Sequence, residues 1–119
     1  ILHGSKKPIT FISLAGLTDI ANLMIAAENV TFTEGSLLDQ IAGLSIMGGV
    51  FNPKEANAPK SGDGNSKKYG EFNFLSDPDA TQQVFEICNR RRKPIPVALF
   101  ELGFTHHNCR FSSEEVKLL

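Results

Sequence analysis

Two hydrophobic periods alternate along this chain, and the points where one gives way to the other mark out its elements. Residues 8–14 (Pro-Ile-Thr-Phe-Ile-Ser-Leu) are nearly continuous in apolar character and rich in β-branched and aromatic side chains. That pattern predicts a strand covered on both faces, as in a parallel sheet. Ala15-Gly16 makes a tight exit. From 17 to 27 the apolar residues Ile20, Leu23, Met24 and Ala27 fall at helical spacing, with Thr18 or Gly16 at the cap. Residues 38–47 carry Ile41, Leu44 and Ile46. Their second half, 43–47, reads as a strand that closes on Gly48-Gly49, a turn glycine adopts most easily. Residues 52–70 form a long loop of Pro, Gly, Asn, Ser and Lys, of a length that in compact domains is functional or disordered. A second helix spans 78–89, with Ala80, Val84, Ile87 and Cys88 facing inward. Residues 95–102 read as a third strand, and 114–119 as the opening turn of a helix capped by Ser112 or Ser113.

The order strand, helix, strand, helix, strand predicts right-handed βαβ units. The fold class is therefore α/β: a mostly parallel, Rossmann-like open sheet with flanking helices. In such sheets ligands sit beyond the carboxyl ends of the strands. Gly48-Gly49 and the long loop follow the second strand, so they lie at that end. The stretch from Asn65 to Ala80 thereby gains interest. It sets two carboxamides and a carboxylate (Asn65, Glu71, Asn73) in a glycine-containing loop. The loop runs to a helix start at which Asp77 can accept from first-turn N–H groups and Pro78 suits the first helical position. Amides and a carboxylate together offer donors and acceptors, which is what a polyhydroxyl ligand such as a sugar needs.

Composition narrows the function classes. The chain has 119 residues, 41% hydrophobic, with a net charge of −1, enough for one small domain. Near-neutral charge argues against a general nucleic-acid or membrane-surface binder. No apolar run approaches the ~20 residues of a membrane helix. The basic run Arg90-Arg91-Arg92-Lys93 follows the second helix, where positive charge complements the helix end. A nucleic-acid module built on it and on Lys67-Lys68 is the competing reading, but no aromatic residue interleaves and Trp is absent. Cys88 and Cys109 are too few for a disulfide scaffold and lack metal-ligand spacing, which favours a reducing compartment such as the cytoplasm. Adjacent His106 and His107, taken as lying on or beside a strand, would point apart and form no metal pair. His3 is terminal. Phosphate-loop, dinucleotide, nucleophile-elbow and zinc-helix motifs are all missing.

Read together, the segments resemble one family. Pro8 through Ala21 is similar to the strand, Gly-Pro-Leu-Thr-Asn-Ile-Ala turn and helix of the inosine–uridine-preferring nucleoside hydrolases. Ile46-Met47-Gly48-Gly49 looks like that family's Met-Gly-Gly strand end. Asn65 followed by Glu71-Phe72-Asn73 matches its sugar motif, and Asp77-Pro78-Asp79-Ala80 its Asp-Pro-Glu-Ala helix start. Val84-Phe85 and Phe104-Thr105-His106 continue the register.

The resemblance implies a nucleoside hydrolase-type sheet and an N-ribosyl hydrolase acting on ribonucleosides. It also implies a Ca²⁺ ion that orients water and binds two ribose hydroxyls in the full-length family, and the parent protein is expected to form a homo-oligomer. Carried over residue by residue, Asn65 and Glu71 would hold the 5′-hydroxyl side of the ribose and Asn73 the 2′/3′ side. Met47 would pack on the sugar, and the Leu14 backbone carbonyl would ligate Ca²⁺.

The departures are as specific. The family's Asp-x-Asp-x-x-x-Asp-Asp cluster, which supplies most metal ligands and the base, has no match here, nor does its C-terminal His-Asp pair. His106 aligns with a different, non-catalytic position. An insertion, roughly Pro53 to Gly64, lengthens the loop before Asn65. Asp19 replaces a usual Asn, and Gly103 a usual Asp. The expectation is that residues 1–119 form the central fragment of a single nucleoside hydrolase-like domain, incomplete by itself. Alone it would bind no Ca²⁺ tightly and hydrolyse nothing. A non-catalytic family remnant that serves as a binding or interaction module is the alternative.

Overall fold

The computed structural model describes residues 7–32, 35–51, 64–66 and 70–109. The expected terminal helix at 114–119, His3, Lys67-Lys68 and nearly all of the insertion lie outside them. Three parallel strands form the main sheet: β1 (Ile9–Ser13), β4 (Ile41–Met47) and β5 (Val97–Phe100), in the order β1-β4-β5. Helices α1 (Thr18–Glu28) and α3 (Pro78–Arg90) are the crossovers. A two-stranded antiparallel pair, β2 (Thr31–Phe32) with β3 (Gly35–Ser36), and a 3-10 turn at Leu37–Gln40 lie between α1 and β4. Short helices α2 (Phe72–Ser76) and α4 (Leu102–Asn108) follow β4 and β5. This is the α/β open parallel sheet with flanking helices that the pattern predicts.

The sheet register separates two faces. Phe11 pairs with Leu44 and Leu44 with Val97, while Ser13, Ile46 and Leu99 form the next row. These rows face the helices, and the core is built from them together with Leu17, Met24, Leu38, Val84 and Ile87, all essentially inaccessible. Each large side chain so buried contributes about 1.5–3 kcal/mol. The inward face of α3 is Ala80, Val84, Ile87 and Cys88, as its spacing predicts. On α1 the fully buried positions are Ala21, Met24 and Ala27, with Ile20 and Leu23 packing at the margin.

On the other face, Ile12 is 71% and Leu14 76% exposed, and Ala98 and Phe100 are exposed beside them. The expectation of a first strand covered on both faces is therefore corrected for the described residues. Both crossovers step in the same direction across the sheet, and connections of one hand then lay α1 and α3 side by side on one face.

Several boundaries also move. β4 begins at Ile41, two residues before its expected start, because the 3-10 turn delivers the chain there. Ser36 and Asp39 form a reciprocal capping box on that turn. α1 has Leu17 at its cap position and no side-chain cap, so neither Thr18 nor Gly16 caps it. β5 is shorter than expected, and residues 102–108 are helical, so His106 and His107 lie on α4 and not on a strand. Glu101 starts that helix by accepting from Gly103 N at 2.8 Å and Phe104 N at 2.5 Å. Among the described residues no helix is long and apolar enough to cross a membrane.

Candidate functional site

The candidate residues meet where β4 leaves the sheet. A Cβ on Gly48 would lie 2.2 Å from Phe74 Cε1, and one on Gly49 would lie 3.1 Å from Phe74 Cε2. Gly49 also takes a φ of +79°, in the region that glycine occupies without a Cβ penalty. The two glycines thus let the Phe74 ring lie directly on the backbone, where it also makes an edge contact with Phe85 at 5.8 Å. Gly49 is held from both sides. Its N–H donates to Glu71 Oε2 at 3.0 Å, and its carbonyl accepts from Leu102 N at 3.0 Å.

Glu71 is 3% exposed, and its carboxylate serves the backbone. Oε1 accepts from Asn73 N at 2.9 Å, and Oε2 accepts from Phe74 N at 3.1 Å as well as from Gly49. Asn65 Oδ1 accepts from Phe72 N at 2.8 Å. Two side chains therefore satisfy the first three N–H groups of α2, groups that a helix start leaves without intrahelical partners. Asn65 itself is exposed and is carried on a tight neck. Ser66 N donates to Gly70 O at 3.1 Å, and a Cβ on Gly64 would come 2.2 Å from Gly70 O. Asn73 is buried, and its Nδ2 donates to the Met47 carbonyl at 3.0 Å with Met47 Sδ at the same distance.

Met47, Asn65, Glu71 and Asn73 are thus one connected cluster at the carboxyl edge of the sheet. The reading of 65–77 as loop is corrected by α2. Five residues are too few to show a hydrophobic period, so only the capping chemistry of Asn65 and Glu71 signals this helix in the sequence. Glu101 has the same signal, a Glu directly before the helix it caps, although the sequence pattern places it in the third strand.

Leu14 lies at the exit of the neighbouring strand β1, and the turn after it packs on α2. A Cβ on Gly16 would come 2.4 Å from Ser76 Oγ, and that hydroxyl donates to Asn73 O at 2.8 Å. Thr18 Oγ1 donates to Asp77 Oδ2 at 2.6 Å, while Asp77 Oδ1 caps α3 by accepting from Ala80 N at 3.0 Å. The Thr18 hydroxyl first, and the Ala80 N–H second, hold the Asp77 carboxyl below its ordinary value of 3.8.

The other chemistry-bearing residues lie away from this cluster. Arg90 makes a bidentate pair with Glu28, and Arg91 pairs with Asp39. Burial pushes the Cys88 thiol up, and Cys109 is exposed.

The described residues do not fit a Ca²⁺ ion. Ca²⁺ takes six to eight oxygens. Leu14 offers one carbonyl, and the Glu71 oxygens are engaged by three N–H groups. Among the described residues no three His, Cys, Asp or Glu side chains stand together as a metal-holding group.

The family model described as inosine-uridine preferring nucleoside hydrolase matches residues 1–119. A curated relative, the pyrimidine-specific ribonucleoside hydrolase RihA of Klebsiella pneumoniae (strain 342), is 29% identical over 106 residues. That alignment covers 89% of this chain and 27% of the relative, so the chain spans about a quarter of the length of the relative it matches.

Proposed function

The chain belongs to the inosine-uridine preferring nucleoside hydrolase family, and on that premise we propose that its sheet's carboxyl edge is the ribose-holding part of an N-ribosyl hydrolase. The reaction is hydrolysis of a ribonucleoside to ribose and free base. The observation that supports it is the grouping of Met47, Asn65, Glu71 and Asn73 at the end of β4: Glu71 bonds the Asn73 and Gly49 N–H groups, Asn73 bonds the Met47 carbonyl, and Asn65 joins through the Phe72 N–H. In this reading Asn65 and Glu71 face the 5′-hydroxyl side, Asn73 the 2′/3′ side, and Met47 packs on the sugar.

The bonds already made limit each role. A carboxylate offers about four lone-pair positions, and backbone N–H groups occupy three of those on Glu71. One position is left for a hydroxyl. Asn73 commits its Nδ2 to Met47, so its Oδ1 is the atom assigned to a ribose hydroxyl. Groups held this firmly orient the sugar before reaction, and their dipoles favour the positive charge that builds on it as the bond to the base breaks.

Residues 1–119 are proposed to be a central fragment of that domain. Alone it binds no Ca²⁺ tightly and releases no base, and the Leu14 carbonyl serves as a ligand only in a complete site. The second reading, a non-catalytic remnant that binds a sugar or a partner, draws support from the donor set of the described residues. An Asp-x-Asp-x-x-x-Asp-Asp cluster upstream and a His-Asp pair downstream in the parent reading frame would decide for the enzyme. A reducing, cytoplasmic setting suits the two free cysteines.

Two assays test this. The purified chain is expected to release no base from uridine or inosine with Ca²⁺ present, and chelator-sensitive turnover would overturn its inactivity. In the complete protein that carries this chain, Asn73→Ala is expected to lower kcat/KM for uridine at least 100-fold. Near-normal activity would show the residue assignment to be wrong.

A further inference from the structure

Helix α2 carries Asn73 but has only five residues. A helix this short gains almost nothing from its own hydrogen bonds, because nucleation is costly. Its placement comes from what holds its two ends, together with the Phe74 ring on Gly48-Gly49 and the Asn73 amide on the Met47 carbonyl. The amino end is tied to the β4 exit by Glu71 and to the 64–66 neck by Asn65. At the carboxyl end, Ser76 bonds Asn73 O and lies against Gly16. The next residue, Asp77, takes the Thr18 hydroxyl across a separation of 59 residues.

We propose that Thr18 and Asp77 are a positioning pair for the sugar-holding cluster. Their hydrogen bond fixes the carboxyl end of α2 against the β1–α1 turn and so sets where Asn73 presents its amide. This rests on the assignment of Asn73 to the ribose. The geometry suits the role. Asp77 uses Oδ1 for the α3 cap and Oδ2 for Thr18, so one carboxylate joins α1 to α3 on the residue that ends α2. Thr18 is the first residue of α1, after the cap position Leu17, and its hydroxyl is spent on the long-range bond. The depressed Asp77 carboxyl is the electrostatic counterpart of the same contact.

The test uses the complete protein that carries this chain, with Thr18→Val and Thr18→Ser. Valine keeps the shape and removes the hydroxyl, and it leaves the Asp77 cap of α3 untouched. The first readout needs no activity: the side-chain amide signals of Asn73 by NMR. They are expected to shift or broaden in Thr18→Val and to return in Thr18→Ser. The second is steady-state hydrolysis of uridine, where Thr18→Val is expected to raise KM at least five-fold and Thr18→Ser to restore it within two-fold. An upward move of the Asp77 titration in Thr18→Val verifies that the bond has been removed. Asn73 signals that stay in place despite that move overturn the positioning role, whatever the kinetics. Unchanged KM with shifted Asn73 signals overturns the link to substrate. If the wild-type complete protein leaves uridine and inosine intact, the functional reading fails, and the Asn73 signals still decide the positioning.

Discussion

The two edges of the parallel sheet are held by different physics. At the amino edge, Arg90 reaches Glu28 and Arg91 reaches Asp39, so ion pairs fasten the helix ends from outside. The Arg90–Glu28 pair keeps much of its hydration, salt screens it, and such a pair adds little, whereas Arg91 is largely buried beside Asp39. At the carboxyl edge one buried carboxylate, Glu71, gathers N–H groups from Gly49, Asn73 and Phe74, and Asn73 bonds back to the strand. Bonds to a charged acceptor out of water are stronger, and an unpaired group left behind is costly. The edge proposed to hold a ligand is thus the one whose geometry is over-determined. At the opposite edge the exposed Arg90–Glu28 pair could be rearranged at small cost.

The sharpest way to break this contrast is Glu71→Ala, which strips three N–H groups of their acceptor at once. At roughly 1–3 kcal/mol for each buried group left unpaired, a loss of about 3 kcal/mol or more is expected in urea unfolding of the complete protein. A loss under about 1 kcal/mol would mean that the carboxylate is not the anchor described here. Gly48→Ala comes next. Its methyl would sit 2.2 Å from the Phe74 ring, and overpacking of this kind costs about 1–3 kcal/mol. The same measurement checks it, and Phe74→Leu is expected to recover part of the loss. The smallest change belongs to the amino edge. Arg90→Ala is expected to shift Tm by little, and by less still in high salt. A drop as large as that of Glu71→Ala would erase the distinction between the edges.

Acid tests the carboxyl edge in another way. Asp77 titrates below its ordinary value in the folded state, so its contribution is present above about pH 4 and is lost as pH falls through the folded value. Asp77→Asn is expected to flatten the fall of Tm as pH drops below about 4. An unchanged slope would show that the Thr18 contact does not favour the ionised carboxyl.

How much of this was legible in the sequence differs by element. The inward face of α3 was read residue by residue, because thirteen residues give a helical period room to show. The exit at Gly48-Gly49 was legible because glycine marks a special backbone. Its cause was not, since Phe74 is far along the chain. Helix α2 and the 3-10 turn were missed, being shorter than any period. The open face of the sheet was missed for a related reason: a run of apolar residues records hydrophobicity, not which neighbours cover it. The grouping of Met47, Asn65, Glu71 and Asn73 was anticipated through family motifs and the strand-end rule. The bonds among them were not.

The order of chain segments, with its apolar spacing and glycine stops, was sufficient for the α/β architecture and for setting residues 71–77 at the carboxyl edge of the sheet. Those features are local, and a local pattern repeats itself often enough to be read. Partners were decided only in three dimensions: Glu71 with Gly49, 22 residues apart, and Thr18 with Asp77, 59 apart. A hydrogen bond between distant residues leaves no period behind it, because its geometry exists only after the strands and helices have packed.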